Sequence, residues 1–161
     1  MTKNPLGEIL FKVAIVSDTH VNEKEDFSAS PYPANAEANP RARHVFSQVN
    51  QIAPELTIHL GDMVNPVPEL ESYGPAADNF HAIAADLTAP IHLVPGNHDI
   101  GDKPVKWMPA GMVNSDFIAL YRKHFGKDYY AVVSNGCHFV IVNAPLMNSG
   151  DPAEAEQAAW L

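Results

Sequence analysis

Residues 11–20 read Phe11-Lys-Val-Ala-Ile-Val-Ser-Asp-Thr-His20, a short apolar, β-branched run that ends on an aspartate and a histidine. A run without polar alternation predicts a strand over 11–17 buried on both faces, as in a parallel sheet. Two similar runs lie further along the chain, Leu56 to Leu60 and Ile91 to Val94. Each is followed by residues of the same chemical kind, Gly61-Asp62 and Gly96-Asn97-His98-Asp99. Between the first and second runs, Val45, Phe46, Val49 and Ile52 fall at helical spacing within Arg41 to Ala53, and Pro54 closes the helix. Between the second and third, Ala77, Phe80, Ile83 and Ala84 mark one face of a helix over Glu71 to Leu87. Strand, helix, strand, helix, strand predicts βαβ units with parallel neighbours and right-handed crossovers.

Beyond the third strand, a loop over Ile100 to Val113 precedes a helix with Ser115 as N-cap, His124 in its last turn and Gly126 as its stop. Tyr129 to Ser134 and Cys137 to Asn143 flank Asn135-Gly136, a strong hairpin signal, so the sheet is expected to become mixed there. Asp151-Pro152, with Glu154 at capping-box spacing, opens a last helix that carries no stop signal before Trp160-Leu161. A missing C-terminal part is therefore expected, with residues 1–161 forming the N-terminal part of a single domain. Residues 23–40, rich in Ala, Asn, Pro and Glu, read as a mobile loop.

Composition limits the function. With 161 residues, 46% of them hydrophobic, the chain suits one soluble globular domain that needs no disulfide, and its one cysteine, Cys137, cannot form an internal one. The absence of a signal-like N-terminus and of a membrane-spanning apolar run points to a cytoplasmic protein. A formal net charge of −9 and scattered Lys and Arg argue against general affinity for nucleic acid or a membrane surface. Such acidity also repels a phosphate substrate unless a metal ion inverts the local field.

The strand ends carry the chemistry. In open α/β sheets ligands bind beyond the carboxyl ends of the strands, so Asp18, His20, Asp62, Asn97 and His98 are expected to meet at one edge of the sheet. Carboxylates, an imidazole and an amide oxygen without any thiolate suit Mn, Fe, Zn or Ni. Asp62, central among the loops, is placed to bridge two ions. Asp99 has two candidate roles, orienting a histidine or satisfying loop amides. His59 and His92 read as packed strand residues. His44, His81 and His124 fall on helices, and His138 follows the hairpin turn at the far end of the sheet. Trp107, Met108 and Met112 could touch a substrate or pack among themselves.

Asp-x-His, Gly-Asp and Gly-Asn-His-Asp, in this order and each after a buried strand, resemble the calcineurin-like metallophosphoesterase superfamily. The stretch Gly61 to Leu70 and the ending Gln157-x-x-Trp160-Leu161 resemble its bacterial members. The resemblance implies an α/β, metallophosphoesterase-type layered fold: two packed mixed β-sheets flanked by helices, incomplete here at the C-terminus. It implies a phosphate-ester substrate, either a phosphomonoester or a phosphodiester, hydrolysed by a bridging hydroxide in a site with two divalent metal ions. Asp18 and His20 would bind the first metal, Asp62 both and Asn97 the second, and His98 would be the catalytic general acid. The superfamily's later Gly-His motifs are absent from this sequence. The alternative is a non-catalytic binding or scaffold module, or an inactive fragment, that keeps the fold. Retention of His98 speaks against it, because a scaffold needs no general acid.

Overall fold

The computed structural model describes residues 7–28, 30–104 and 107–161. Its centre is a parallel sheet of β1 (Val13–Val16), β2 (Leu56–His59) and β3 (Ile91–Leu93), ordered β1-β2-β3. Val16 pairs with His59 and His59 with Leu93, which sets the three C-terminal ends level.

Two consecutive right-handed crossovers in that strand order carry their helices to the same face. α1 (Ala38–Ile52) and α2 (Tyr73–Ala84) accordingly pack against one another and against that face. Phe80 is their hub, with ring centroids 6.4 Å from Phe46, 5.5 Å from His59 and 5.9 Å from Phe125, all near edge-to-face. Burial of Phe46, Phe80, Ile83, Tyr121 and their neighbours removes apolar surface worth roughly 1.5–3 kcal/mol per large side chain, which is what holds the helices on the sheet.

The opposite face differs from expectation. β1 is not buried on both sides, since Ile15 is 63% exposed. With both crossover helices on one side, nothing among the described residues covers this part of the other.

Part of the stretch read as a loop is regular: Pro33–Glu37 form a 3-10 turn and α1 already begins at Ala38. The buried side chain of Asn39, near the start of α1, accepts from the backbone N–H of Asn22 (2.7 Å), and Asn79 donates to the carbonyl of Asn22 (2.9 Å). After β3 come the one-turn helix α3 (Asn97–Ile100) and α4 (Ser115–Phe125). The cap of α4 is Asn114, one residue before the expected Ser115, and its side chain accepts from the N–H groups of Asp116 and Phe117, both at 3.0 Å.

The hairpin forms as predicted. β4 (Tyr130–Ser134) and β5 (Cys137–Ile141) pair antiparallel around Asn135 and Gly136, whose φ values of 48° and 76° are those of a type I′ turn. They make a two-stranded sheet of their own, so no ladder among the described residues joins them to β3. The link is a side chain: the Tyr130 hydroxyl accepts from the N–H of Leu93 (2.9 Å) and donates to its carbonyl (3.2 Å). In the last helix, α5 (Pro152–Trp160), buried Gln157 exchanges two hydrogen bonds with the backbone of Asn143.

Candidate metal centre

Past the sheet, the segments after β1 and β2 stay zipped together. The backbone N–H groups of Asp18, His20 and Val21 donate to the carbonyls of Gly61, Asp62 and Met63 at 2.9, 3.0 and 2.9 Å. Asp18, His20 and Asp62 all take left-handed backbone, with φ of 57°, 44° and 54°. A non-glycine residue enters that region at a cost of about 1–2 kcal/mol, which the interlocked backbone bonds offset. The turn lifts all three side chains off the ends of β1 and β2.

The third segment joins through glycines. A Cβ on Gly61 would sit 2.5 Å from the nitrogen of Gly96, and one on Gly96 would collide with the carboxylate and backbone nitrogen of Asp62. This closeness lets the Asp62 carboxylate accept from the N–H of His98 (3.0 Å) through Oδ1, while Oδ2 turns toward His20 Nε2 at 3.7 Å. Asp18 Oδ1 lies 3.8 Å from the same nitrogen, and its side chain is 64% exposed. One donor atom from each of His20, Asp62 and His98 lies within 4.8 Å of the others. Asn97 opens α3 beside His98. Its carbonyl accepts from Gly101 at 3.0 Å.

Each histidine has a defined protonation demand. His98 Nδ1 is 2.6 Å from the carbonyl of Asn65. A carbonyl only accepts, so Nδ1 carries a hydrogen and Nε2 is the ring nitrogen left open to the site. The His20 ring meets that of His98 edge-to-face at 4.7 Å. Burial, and then the charge of His98, hold the His20 pKa below its ordinary value against the pull of Asp62 and Asp18, which favours the neutral ring a metal requires.

Beneath the loops sits Asp99, fully buried, accepting from the backbone N–H groups of Asp62 (2.7 Å), Met63 (2.9 Å) and Gly96 (2.8 Å), with Val64 at 3.4 Å. Of its two candidate roles it takes the second, binding loop amides. Burial and the Asp62 charge push its pKa up to about 8, and those same N–H groups pull the other way. A group ringed by donors alone is served by its carboxylate form. His59 is also tied in. Its Nδ1 faces the N–H of Gly61 (3.2 Å), so its Nε2–H donates to Thr19 Oγ1 (3.0 Å), which in turn donates to the carbonyl of Met63 (3.0 Å).

These donors fit a divalent ion. Atoms about 2.1 Å from one shared tetrahedral ion lie roughly 3.4 Å apart. The 3.7 and 3.8 Å separations around His20 Nε2 are close to that spacing and too long for direct hydrogen bonds.

The segments after the three strands meet, as their order along the chain implies. The Asn65 carbonyl, the Thr19–His59 chain and Tyr32 carry no motif and were not legible in the sequence. Trp107 and Met108 line a cleft that opens from His20 and His98, whereas Met112 is absent from its wall. No helix among the described residues is long and apolar enough to cross a membrane.

Residues 11–155 match the sequence profile described as calcineurin-like phosphoesterase. No curated protein matches the chain in sequence. Among solved structures, a dimetal phosphatase from Danio rerio is similar at 18% identity and a TM-score of 0.45, over 56% of this chain and 30% of that one. The chain thus spans less than a third of that protein's length.

Proposed function

This chain belongs to the calcineurin-like phosphoesterase family, and from that premise we propose that it hydrolyses phosphate esters, with two divalent ions held by Asp18, His20, Asp62 and Asn97 and with His98 as general acid. The observation that carries the reading is the division of labour in one carboxylate. Asp62 has one oxygen fixed by the His98 N–H and the other facing His20 Nε2 across 3.7 Å, so it arrives oriented for a cation. Two such ions, when bound, would offset the protein's acidity toward an anionic substrate and would lower the pKa of a water to about 7, making a hydroxide nucleophile available. Mn, Fe, Zn and Ni all suit the donor set.

The chain's own residues do the rest. Asp18 and Asp62 supply negative charge around His20, and Asp99 holds the backbone on which Asp62 stands. The Asn65 carbonyl fixes the His98 ring with Nε2 free to carry a second proton, which the ring delivers to the leaving alkoxide.

A second reading has His98 as a metal ligand, favoured by its place in the His20, Asp62 and His98 cluster. Metal content separates the two. Purified full chain, loaded with Mn or Zn, is assayed for bound metal and for hydrolysis of an alkyl and an aryl phosphate. With His98 as acid, His98→Ala keeps its metal and loses roughly 10²–10⁴ in kcat on the alkyl ester, with a smaller loss on the aryl ester, whose leaving group needs little protonation. Loss of metal on the same substitution makes His98 a ligand. Full metal affinity in Asp62→Asn, or no hydrolysis by the metal-loaded wild type, overturns the phosphoesterase reading in favour of a binding module.

A further inference from the structure

The cleft beside the centre has a volume of about 600 Å³, with His20 and His98 among its lining. Much of the remaining wall is apolar and comes from three separate stretches of chain: Tyr32 from before α1, Leu70 from after β2, and Trp107 and Met108 from after α3. The two aromatic residues are unusually bare. Trp107 is 81% exposed and Tyr32 69%. The other tryptophan, Trp160, is 41% exposed with its ring tilted against Tyr129 at 5.1 Å, and the Phe46–Phe80 pair of α1 and α2 is buried. Each large aromatic side chain has 150–250 Å² to bury, so two of them standing in water around one cleft mark a surface suited to being covered. Among the described residues the polar lining is Ser30, Asn35, Asn65 and the two histidines, with neither a carboxylate nor a Lys or Arg, so a charged group held there away from the centre would exchange hydration for neutral hydroxyl and amide contacts rather than for an ion pair.

We propose that this cleft holds the leaving alcohol of the phosphate ester, and that this alcohol carries a flat, uncharged aromatic ring contacted by Tyr32 and Trp107. The inference rests on the phosphoesterase reading above. In the reaction, a water-derived oxygen bonds to phosphorus and the phosphorus–oxygen bond to the alcohol breaks. The departing oxygen takes a proton from His98, which lines the same cleft. The ring contributes binding at a distance from the reacting atoms, through Trp107 and Tyr32 rather than through the metal ligands.

The two tryptophans make this testable without turnover. In the zinc-loaded full chain, benzylphosphonate is expected to shift the indole N–H resonance of Trp107, leave that of Trp160 in place, and bind about tenfold more tightly than methylphosphonate. 4-Carboxybenzylphosphonate should lose that advantage. Trp107→Ala and Tyr32→Ala, both at exposed positions that leave the core intact, should each remove most of it. They should also lower kcat/KM about tenfold for benzyl phosphate and less than twofold for methyl phosphate. An unmoved Trp107 resonance, or equal affinity for the benzyl and methyl compounds, overturns the assignment even if both esters are hydrolysed. Tight binding of the carboxylated probe overturns the uncharged arm. A selective Trp107 shift with hydrolysis of neither ester upholds the cleft and removes the phosphoesterase reading instead.

Discussion

The β4–β5 turn and the candidate metal centre both depend on left-handed backbone, and they reach it by opposite routes. In the turn, Asn135 and Gly136 adopt positive φ because their own chemistry permits it, and a Cβ placed on Gly136 would meet nothing within 4 Å. At the centre, Asp18, His20 and Asp62 adopt it because distant residues hold them there, through the bonds to 61–63 and the Asp99 carboxylate. A conformation written locally survives changes elsewhere. One imposed by long-range contacts fails when any of those contacts is removed.

The strongest way to break this contrast is at Asp99. Asp99→Ala leaves several buried N–H groups without an acceptor and should cost about 3–5 kcal/mol, read as a lower urea midpoint. It should also lower metal affinity, because the backbone of Asp62 loses its anchor. Retention of both within error would mean that the loops hold their shape unaided.

A pH series probes the same support. Burial lowers the His59 pKa from 6.5 to about 4. Below pH 6.5 the unfolded chain binds a proton at this ring and the folded chain does not, so stability falls as pH drops from 6.5 to 4, by about 3 kcal/mol in all. His59→Gln should flatten that fall. An unchanged slope in the variant would assign the loss to other groups.

The glycine pair gives the smallest and most direct comparison. Gly96→Ala drives a Cβ into Asp62 and should cost about 2–3 kcal/mol. Gly136→Ala, facing open space at φ 76°, should cost about 1 kcal/mol from backbone strain alone. Equal costs in chemical denaturation would erase the distinction between the two regions.

The same division explains what could be read from the residues alone. The hairpin was legible because Asn135-Gly136 encodes its own turn. The strand ends were legible because each apolar run stops at Asp18, Asp62 or Asn97, and parallel order makes distant strand ends adjacent. The cap of α4 was misplaced by one residue because Asn114 and Ser115 are both capping types. Two-sided burial of β1 was misread because an apolar run does not reveal how many layers cover it, and the helices lie on one side of Ile15. The amides gathered by Asp99, the carbonyl of Asn65 facing His98 and the placing of Tyr32 and Trp107 on one cleft arise from meetings between segments far apart in sequence. No local pattern announces them.

The Tyr130 hydroxyl, seated on both backbone groups of Leu93, bears on how the molecule assembles. A β-hairpin closes in about 1–10 μs, while parallel strands must wait for longer loops to close. Had the hairpin met β3 through a ladder, the two would have to find a common register, and a slip by one residue would turn every side chain to the wrong face. A single phenol contact asks for no register. The hairpin can complete itself first and then dock as a finished piece, leaving the slow search to the three parallel strands whose ends carry the candidate site.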